Sequence, residues 1–348
     1  MVVENLPKVK LANLPTPIDE LKKLRSIIGG PRLFMKRDDL TGLSYGGNKT
    51  RMMEYLLGQA KKEGADTVVT SGDSQTNHGR LAAAACAKEG FDYYLVITEE
   101  EKGHLEGNAT LQSWLGTNFV YIDPVQPAEG ESLAKARLRA GDKKIKDLCL
   151  RLIAQGKKPF VIPRGGRSLQ GTASYCAAAA EIKEQMAALR EKIDHIIVTA
   201  GMGGTLAGLL LGTKVYELPA KVIGISASRS SEEVRALVVE EFNKDAAELG
   251  YPYRIDGSDF IMDSSYVGKG YGIPTDECWQ AIKLLAQTEA IFLDPVYTGK
   301  TMAGFLDLVG KGFFSEKENV LFVHTGGGPL MFLDMVNRKA KEMQQVYS

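Results

Sequence analysis

The sequence predicts an α/β protein of two domains, each a mostly parallel sheet covered by helices. Three observations carry this expectation. Short apolar, β-branched runs alternate with longer helical patterns along the chain, the order that yields parallel sheets with helices on their faces. The 348 residues suffice for two domains of ordinary size around separate cores. No period repeats.

Taken in order, strands are expected at Leu33–Lys36, Thr67–Thr70, Tyr93–Ile97, Phe119–Ile122, Phe160–Ile162, His195–Thr199, Val222–Ser226 and Val320–Val323. Each is a compact apolar run rich in Val, Ile, Phe or Tyr, residues that fit a pleated buried surface. Helices are expected near Asn48–Lys62, Asn77–Glu89, Asn108–Leu115, Leu133–Ala154, Gln170–Met186, Thr205–Thr213, Glu232–Glu248, Thr275–Thr288, Gly299–Leu308 and Pro329–Lys341. Glu99-Glu100-Glu101-Lys102 reads as a charged, solvated turn.

Composition narrows the class. Hydrophobic residues make up 44% and charged residues 25%, the values of a globular protein. Formal net charge is zero, so no global field favours nucleic acid or an anionic membrane. The start Met1-Val2-Val3-Glu4-Asn5-Leu6-Pro7 lacks the basic-then-apolar order of a signal peptide, and no apolar run is long enough to span a bilayer. The four cysteines are widely spaced, and neither they nor the four histidines have metal-ligand spacing. A reduced cytoplasm and no structural metal are expected.

The most informative local feature is Lys49, within Tyr45-Gly46-Gly47-Asn48-Lys49-Thr50-Arg51. Two glycines lead into a helical pattern, which sets the amine at a helix N-terminus. The positive end of the dipole and desolvation both disfavour the ammonium form. A neutral amine is the form that condenses with a carbonyl. A surface lysine in a loop-to-helix turn would read the same way.

Four turns offer ligand-binding chemistry. The first is Ala200-Gly201-Met202-Gly203-Gly204-Thr205, between an apolar strand and a helix. Backbone N–H groups and a helix dipole there suit a phosphate dianion, and Thr205 can add a hydroxyl. Leu206 occupies the third glycine position of a dinucleotide fingerprint, and no P-loop lysine follows. Phosphate without a nucleotide is therefore the reading, with an unliganded βα connection the alternative. In the second, His324-Thr325-Gly326-Gly327-Gly328-Pro329, Thr325 stands at a strand's carboxyl end, where its hydroxyl can bond a ring nitrogen or merely cap the next helix. In the third, Gln75-Thr76-Asn77-His78, Thr76 and Asn77 can present donors to a carboxylate or serve as an ordinary N-cap. In the fourth, Asp294-Pro295-Val296-Tyr297, Tyr297 can stack on an aromatic cofactor, donate a proton, or simply pack.

With these residues in hand the chain resembles the pyridoxal-phosphate enzymes of the tryptophan-synthase-β fold, fold type II. Within them it resembles the branch of 1-aminocyclopropane-1-carboxylate deaminases and D-cysteine desulfhydrases. The resemblance runs from about Leu14 to Phe332. Its motifs come in the family's order: Lys36-Arg37-Asp38-Asp39, Gly46-Gly47-Asn48-Lys49, Gln75-Thr76-Asn77-His78, Gly203-Gly204-Thr205, Tyr271-Gly272-Ile273-Pro274, Asp294-Pro295-Val296-Tyr297 and His324-Thr325-Gly326-Gly327.

The resemblance implies that Lys49 holds pyridoxal phosphate as a Schiff base and takes the α-proton. Met202, Gly203, Gly204 and Thr205 would cradle the phosphate, Asn77 would bond the ring hydroxyl, and Tyr297 would stack on or beside the ring. Thr325 would meet the ring nitrogen. Thr76, Asn77, His78, Tyr271 and Thr298 would face the substrate, with Thr76 and Tyr297 also catalytic. It further implies a large cofactor-binding domain of residues 1–50 and 165–348, a small domain of 51–164, ligands in the cleft between them, and a homodimer.

Thr298 and Thr325 stand where the deaminases carry Glu and Leu, and both match the desulfhydrase pattern. A hydroxyl beside the ring nitrogen favours the neutral ring, which suits direct loss of a β leaving group. The expected activity is β-elimination from D-cysteine to pyruvate, sulfide and ammonia. L-cysteate sulfo-lyase, cyclopropane ring-opening deamination, and a non-catalytic protein binding the cofactor or an amino acid are the alternatives. Departures from the pattern are Thr76 in place of Ser, Asp73 and Ser74 in place of small or apolar residues, and Arg164 and Arg167 around Gly165-Gly166. The two arginines are expected to be solvated surface charges, with recruitment of a sulfonate as the alternative.

Overall fold

The computed structural model describes residues 2–99 and 105–343. Of the charged turn expected at Glu99–Lys102, only Glu99 lies within the described residues. In chain order the elements are β1 (Ile18–Glu20), α1 (Lys22–Ile28), β2 (Arg32–Lys36), α2 (Asn48–Lys62), β3 (Thr67–Gly72), α3 (Asn77–Glu89) and β4 (Asp92–Ile97). There follow α4 (Gly107–Trp114), β5 (Asn118–Tyr121), α5 (Leu133–Ala154), β6 (Pro159–Val161), α6 (Leu169–Ala188), β7 (His195–Ala200) and α7 (Gly204–Val215). The last are β8 (Lys221–Ser226), α8 (Ser231–Glu248), β9 (Ile261–Asp263), α9 (Asp276–Glu289), α10 (Thr298–Gly310), β10 (Asn319–Val323) and α11 (Asp334–Met343).

The strands form two sheets. A six-stranded sheet has the order β1-β2-β10-β7-β8-β9, parallel throughout except for the antiparallel pair β1 and β2. A four-stranded sheet, β5-β4-β3-β6, is entirely parallel. Strands β7 and β10 are buried along their whole length around the apolar runs Ile196–Val198 and Val320–Val323, as expected of central strands covered on both faces. Their alternate residues serve different cores because successive side chains point to opposite faces. Ile196, Val198, Leu321 and Val323 join a large cluster with residues of α2, α3, α6, α7 and α8. Ile197, Val320 and Phe322 pack instead with Leu24, Leu285 and Phe305 of α1, α9 and α10. The smaller sheet divides in the same way: Val68, Leu95 and Ile97 face the large cluster, and Val69 and Val96 face Leu148 and Leu152 of α5. Full burial of each such Leu or Phe contributes roughly 1.5–3 kcal/mol.

Local signals set the helix ends around the sites. Thr76 caps α3 by accepting from Gly79 N, and Gly90 at φ 80° closes it in the left-handed conformation. Ser230 and Glu233 form a reciprocal capping box at the start of α8. Four elements depart from expectation. Strands β1 and β9 are three residues each, and α1 is seven, too short to carry a readable period. The helix expected over Pro329–Lys341 is two pieces, a 3-10 turn over Gly328–Phe332 and then α11, because Leu333 is extended at ψ 148°.

Candidate active site

The turns singled out in the sequence converge at the carboxyl ends of the parallel strands, where ligands bind in open α/β sheets. The start of α2 is the junction. Asn48 N donates to the Thr325 carbonyl at 3.0 Å, just beyond β10. Asn48 Nδ2 donates to Thr205 Oγ1 at 2.9 Å, in the first turn of α7. Lys49 Nζ donates to the Gly165 carbonyl at 2.7 Å, beyond β6. This convergence depends on glycine. Gly46 has φ 65° and a Cβ there would stand 2.0 Å from the Asp39 carbonyl; a Cβ at Gly326 would stand 2.6 Å from Gly47 Cα. Both are backbone contacts that no side-chain rotation can relieve.

Lys49 is the second residue of α2. Desolvation pushes its amine down to about 8, against an opposing pull from Glu241. At neutral pH roughly one molecule in ten carries the free amine, so burial makes the nucleophilic form accessible without making it the resting form.

The glycine turn before α7 has the features that an anion cradle requires. Gly203 stands at φ 94°, and no side chain caps the helix start. Its first N–H groups therefore lack a side-chain acceptor. Thr205 accepts from Asn48, which leaves the threonine hydroxyl proton to donate. An uncapped helix start, a hydroxyl and an amide fit a phosphate dianion, and the lysine amine fits the aldehyde of the implied cofactor. On the outer side of the cradle, Glu241 of α8 has Oε1 buried and unpartnered, 3.5 Å from where a Gly204 Cβ would be. Its Oε2 accepts from Arg167 Nε at 2.6 Å. Burial lifts the Glu241 carboxyl to about 7.

The loop from β3 to α3 forms the opposite side. The Thr76 hydroxyl accepts from Gly79 N at 3.3 Å and keeps its proton to donate. Asn77 Oδ1 accepts from Asn108 Nδ2 at 2.8 Å, so its own amide protons face elsewhere. His78 is buried, and its Nε2 lies 3.0 Å from Thr70 Oγ1. Because the Thr70 hydroxyl proton goes to the Ile162 carbonyl, His78 must donate from Nε2, and its buried Nδ1 is a bare acceptor without a partner. Burial, with Lys49 and Arg164 nearby, pushes His78 down to about 3, so it is neutral.

Tyr297 precedes α10. Its backbone N–H donates to Asp294 Oδ2 at 2.8 Å, and its ring lies 3.9 Å from a Cβ built at Gly201. Its hydroxyl is 2.6 Å from that of Tyr271, which in turn donates to Asp73 Oδ2 at 3.2 Å. Burial pushes the Tyr297 phenol up.

Two expectations are corrected here. Thr298 is fully buried; its hydroxyl donates to Asp294 Oδ1 at 2.7 Å and accepts from Asp294 N at 2.8 Å. It closes the turn that positions Tyr297 and has no proton left for a substrate. Arg164 and Arg167 are not free surface charges. Arg164 pairs with Asp73 at 3.3 Å and donates to Thr98 at 2.9 Å; Arg167 pairs with Glu240 and Glu241. Sequence reasoning also passed over Asp294 as an organiser and Glu241 altogether. Asp294 could have been read from its place before Tyr297, whereas Glu241 resembles any acid on a charged helix. His324 is structural: it donates from Nε2 to the Phe292 carbonyl and accepts from Gly326 N.

Comparison with known proteins identifies the family. A family model for pyridoxal-phosphate dependent enzymes matches residues 9–326. A D-cysteine desulfhydrase of Salmonella choleraesuis (strain SC-B67) is 35% identical over 331 residues, covering 94% of this chain and 95% of its own. A D-cysteine desulfhydrase of Klebsiella pneumoniae (strain 342) is 37% identical over 341 residues, covering 95% and 98%. A solved ACC deaminase homologue superposes with a TM-score of 0.86 at 35% identity, over 98% of each chain. With most of its length matched and its turns assembled around Lys49, the chain belongs to the family of pyridoxal-phosphate dependent enzymes.

Proposed function

We propose that the enzyme is a carbon–sulfur lyase that cleaves D-cysteine, with water, to pyruvate, sulfide and ammonia. The observation that carries this reading is the pairing of both cleft arginines with carboxylates, which leaves no free guanidinium for a sulfonate and suits a thiol. Similarity to two D-cysteine desulfhydrases over nearly the whole chain supports it. Similarity to an ACC deaminase homologue favours cyclopropane ring opening as a second reading, against which stand Thr298 and Thr325 in place of an acid and a leucine.

Bound pyridoxal phosphate would supply an electron sink for the charge that develops at the substrate's Cα. Lys49 Nζ would hold that cofactor and, once free, take the proton from Cα; its lowered basicity makes it a base near neutral pH. The cradle of Met202, Gly203, Gly204 and Thr205 would hold the phosphate. Asn77 would bond the ring hydroxyl, Tyr297 would pack on the ring, and Thr325 would meet its nitrogen. The Thr76 hydroxyl and the start of α3 would orient the substrate carboxylate, and neutral His78 would add no competing charge. Tyr271 would close the pocket through its contact with Tyr297.

We also propose that residues 1–50 with 165–348 form the large unit and 51–164 the small one. The division is supported by the sheets, since β3 to β6 all fall in the second range. The family resemblance supports a homodimer and a cytoplasmic address. Among the described residues no helix is long and apolar enough to cross a membrane.

Pyruvate and sulfide release should be measured across D-cysteine, L-cysteine, L-cysteate and 1-aminocyclopropane-1-carboxylate. D-cysteine is expected to lead, and turnover of the cyclopropane compound alone would overturn the reading. Lys49→Ala is expected to remove the visible absorbance of the bound cofactor and to lower kcat by roughly 10²–10⁴, the span of a lost acid–base group. Retained turnover in that variant would remove Lys49 from its role.

A further inference from the structure

Asp73 is a departure from the family pattern whose surroundings give it a purpose. It lies between the end of β3 and Thr76, on the same loop as the residues proposed for the substrate carboxylate. Its Oδ2 accepts from Arg164 Nη2 at 3.3 Å and from the Tyr271 hydroxyl at 3.2 Å. Its Oδ1 is buried and has no partner. Arg164 is joined directly to Gly165, whose carbonyl holds the Lys49 amine at 2.7 Å. Asp73 is thus bonded to the Tyr271–Tyr297 pair on one side and, through Arg164, linked to the segment whose carbonyl holds the Lys49 amine on the other.

The charges at this end favour one class of side group. Glu99 sits against the same loop, with Oε2 accepting from Ser74 N at 3.0 Å. Asp73 pairs with the one guanidinium, Arg164, and Glu99 adds a second negative charge beside Asp73, while His78 is neutral. A sulfonate brought here would meet an arginine already neutralised and a further acid beyond it, and like-charge juxtaposition is a strong means of exclusion. A buried carboxylate oxygen without a partner calls instead for a hydrogen-bond donor.

Building on the β-elimination reading, we propose that Asp73 is the specificity-determining residue of the subsite for the β-substituent. It occupies Arg164 and presents Oδ1 to a neutral, donating group such as a thiol, and it thereby excludes an anionic group such as a sulfonate. Burial raises the Asp73 carboxyl, consistent with an oxygen that lacks the donor a substrate would bring.

The test compares holoenzymes: wild type, Asp73→Asn, Asp73→Ser, and the double variant Asp73→Asn with Arg164→Met. For each, kcat/KM is measured for both enantiomers of cysteine and cysteate, and cofactor absorbance confirms an assembled site. Asp73→Asn is expected to raise the cysteate-to-cysteine ratio of kcat/KM by about tenfold or more, the effect of one like charge removed from a partly buried site. The double variant is expected to lose that gain, because the freed guanidinium is its source. Asp73→Ser serves the same purpose should the amide variant fail to fold. An unchanged ratio in a variant with normal cofactor absorbance overturns the proposal, as does a gain that survives loss of Arg164. Should wild type release pyruvate from neither compound, the lyase reading fails. The subsite is then judged by the cysteate concentration that half-perturbs the cofactor spectrum, which is expected to fall about tenfold in Asp73→Asn and, if unchanged, sinks the subsite too.

Discussion

Two residues of one helix, Lys49 and Arg51, open onto two polar regions built on opposite principles. Around Arg51 everything is paired. Its guanidinium is bidentate to Asp38, at 2.8 and 2.9 Å, and bidentate to Glu181, at 2.8 and 2.9 Å. Thr16 and Tyr175 also donate to Asp38, and Lys36 reaches Glu181, Gln185 and the Thr16 carbonyl. Two cations and two anions cancel, and Arg51 holds Asp38 below the usual carboxylate range although burial pushes the other way. Around Lys49 three buried acceptors stand without partners: Asp73 Oδ1, His78 Nδ1 and Glu241 Oε1. The first region joins β2, α2 and α6 and leaves no polar group for a ligand. The other keeps unmet hydrogen-bonding capacity, the expected condition of a site completed by what it binds.

The sharpest way to break this comparison is to unbalance the satisfied cluster. Arg51→Met leaves Asp38 and Glu181 facing each other with only Lys36 between them. Removing one partner of a buried ion network costs about 3–5 kcal/mol, read as a fall in the urea midpoint of unfolding. A loss below about 1 kcal/mol, the range of exposed pairs, would mean that the cluster is not holding these elements together.

The unsatisfied region should answer differently, through pH. Burial raises the Glu241 carboxyl from 4.5 to about 7, so the folded chain keeps a proton that the unfolded chain releases. The resulting stabilisation is full below about pH 4.5 and is lost as pH rises through 7, in total about 3 kcal/mol. Glu241→Gln cannot titrate. Urea unfolding of the cofactor-free protein at pH 5 and pH 8 should therefore show wild type losing about 2–3 kcal/mol more than the variant. Equal losses would remove Glu241 from the titrating groups.

These regions were unequally legible in the sequence. Apart from the short β1, α1 and β9, the order of strands and helices was readable from periodicity, and α2, α3 and α5 begin and end where the pattern places them. Lys49 and the glycine turns were readable because their chemistry is local: a residue type, a strand before it and a helix after it. Thr298 misled because a hydroxyl beside a site motif reads the same whether it faces a ligand or closes a turn on Asp294. Arg164, Arg167 and Glu241 misled because their partners are distant along the chain. Local pattern shows a charged side chain and assumes water around it, and only the packing of α8 against the cradle, and of the β3–α3 loop against Arg164, shows otherwise.

The smallest expected effect is also the most discriminating, because it reverses sign within one helix. Burial lowers the Lys49 amine from 10.5 to about 8, so the folded chain tolerates the charged form less well than the unfolded chain does. At pH 7 that charge opposes folding, and the opposition is relieved as pH climbs from about 8 to 10.5. The residue is partly open to the cleft, so water screens the effect to about 1–2 kcal/mol. Lys49→Met, which keeps the aliphatic stem and removes the charge, should make the cofactor-free protein more stable by that amount at pH 7, with the advantage gone above about pH 10.5. Arg51→Met, two positions along, removes the same unit of charge and should do the opposite. If both substitutions destabilise the protein, Lys49 is held by interactions as complete as those of Arg51, and the contrast between a satisfied scaffold and an unsatisfied site fails. If they diverge, the amine at the start of α2 is maintained against the stability of the fold, which is the relation expected of a group kept for chemistry.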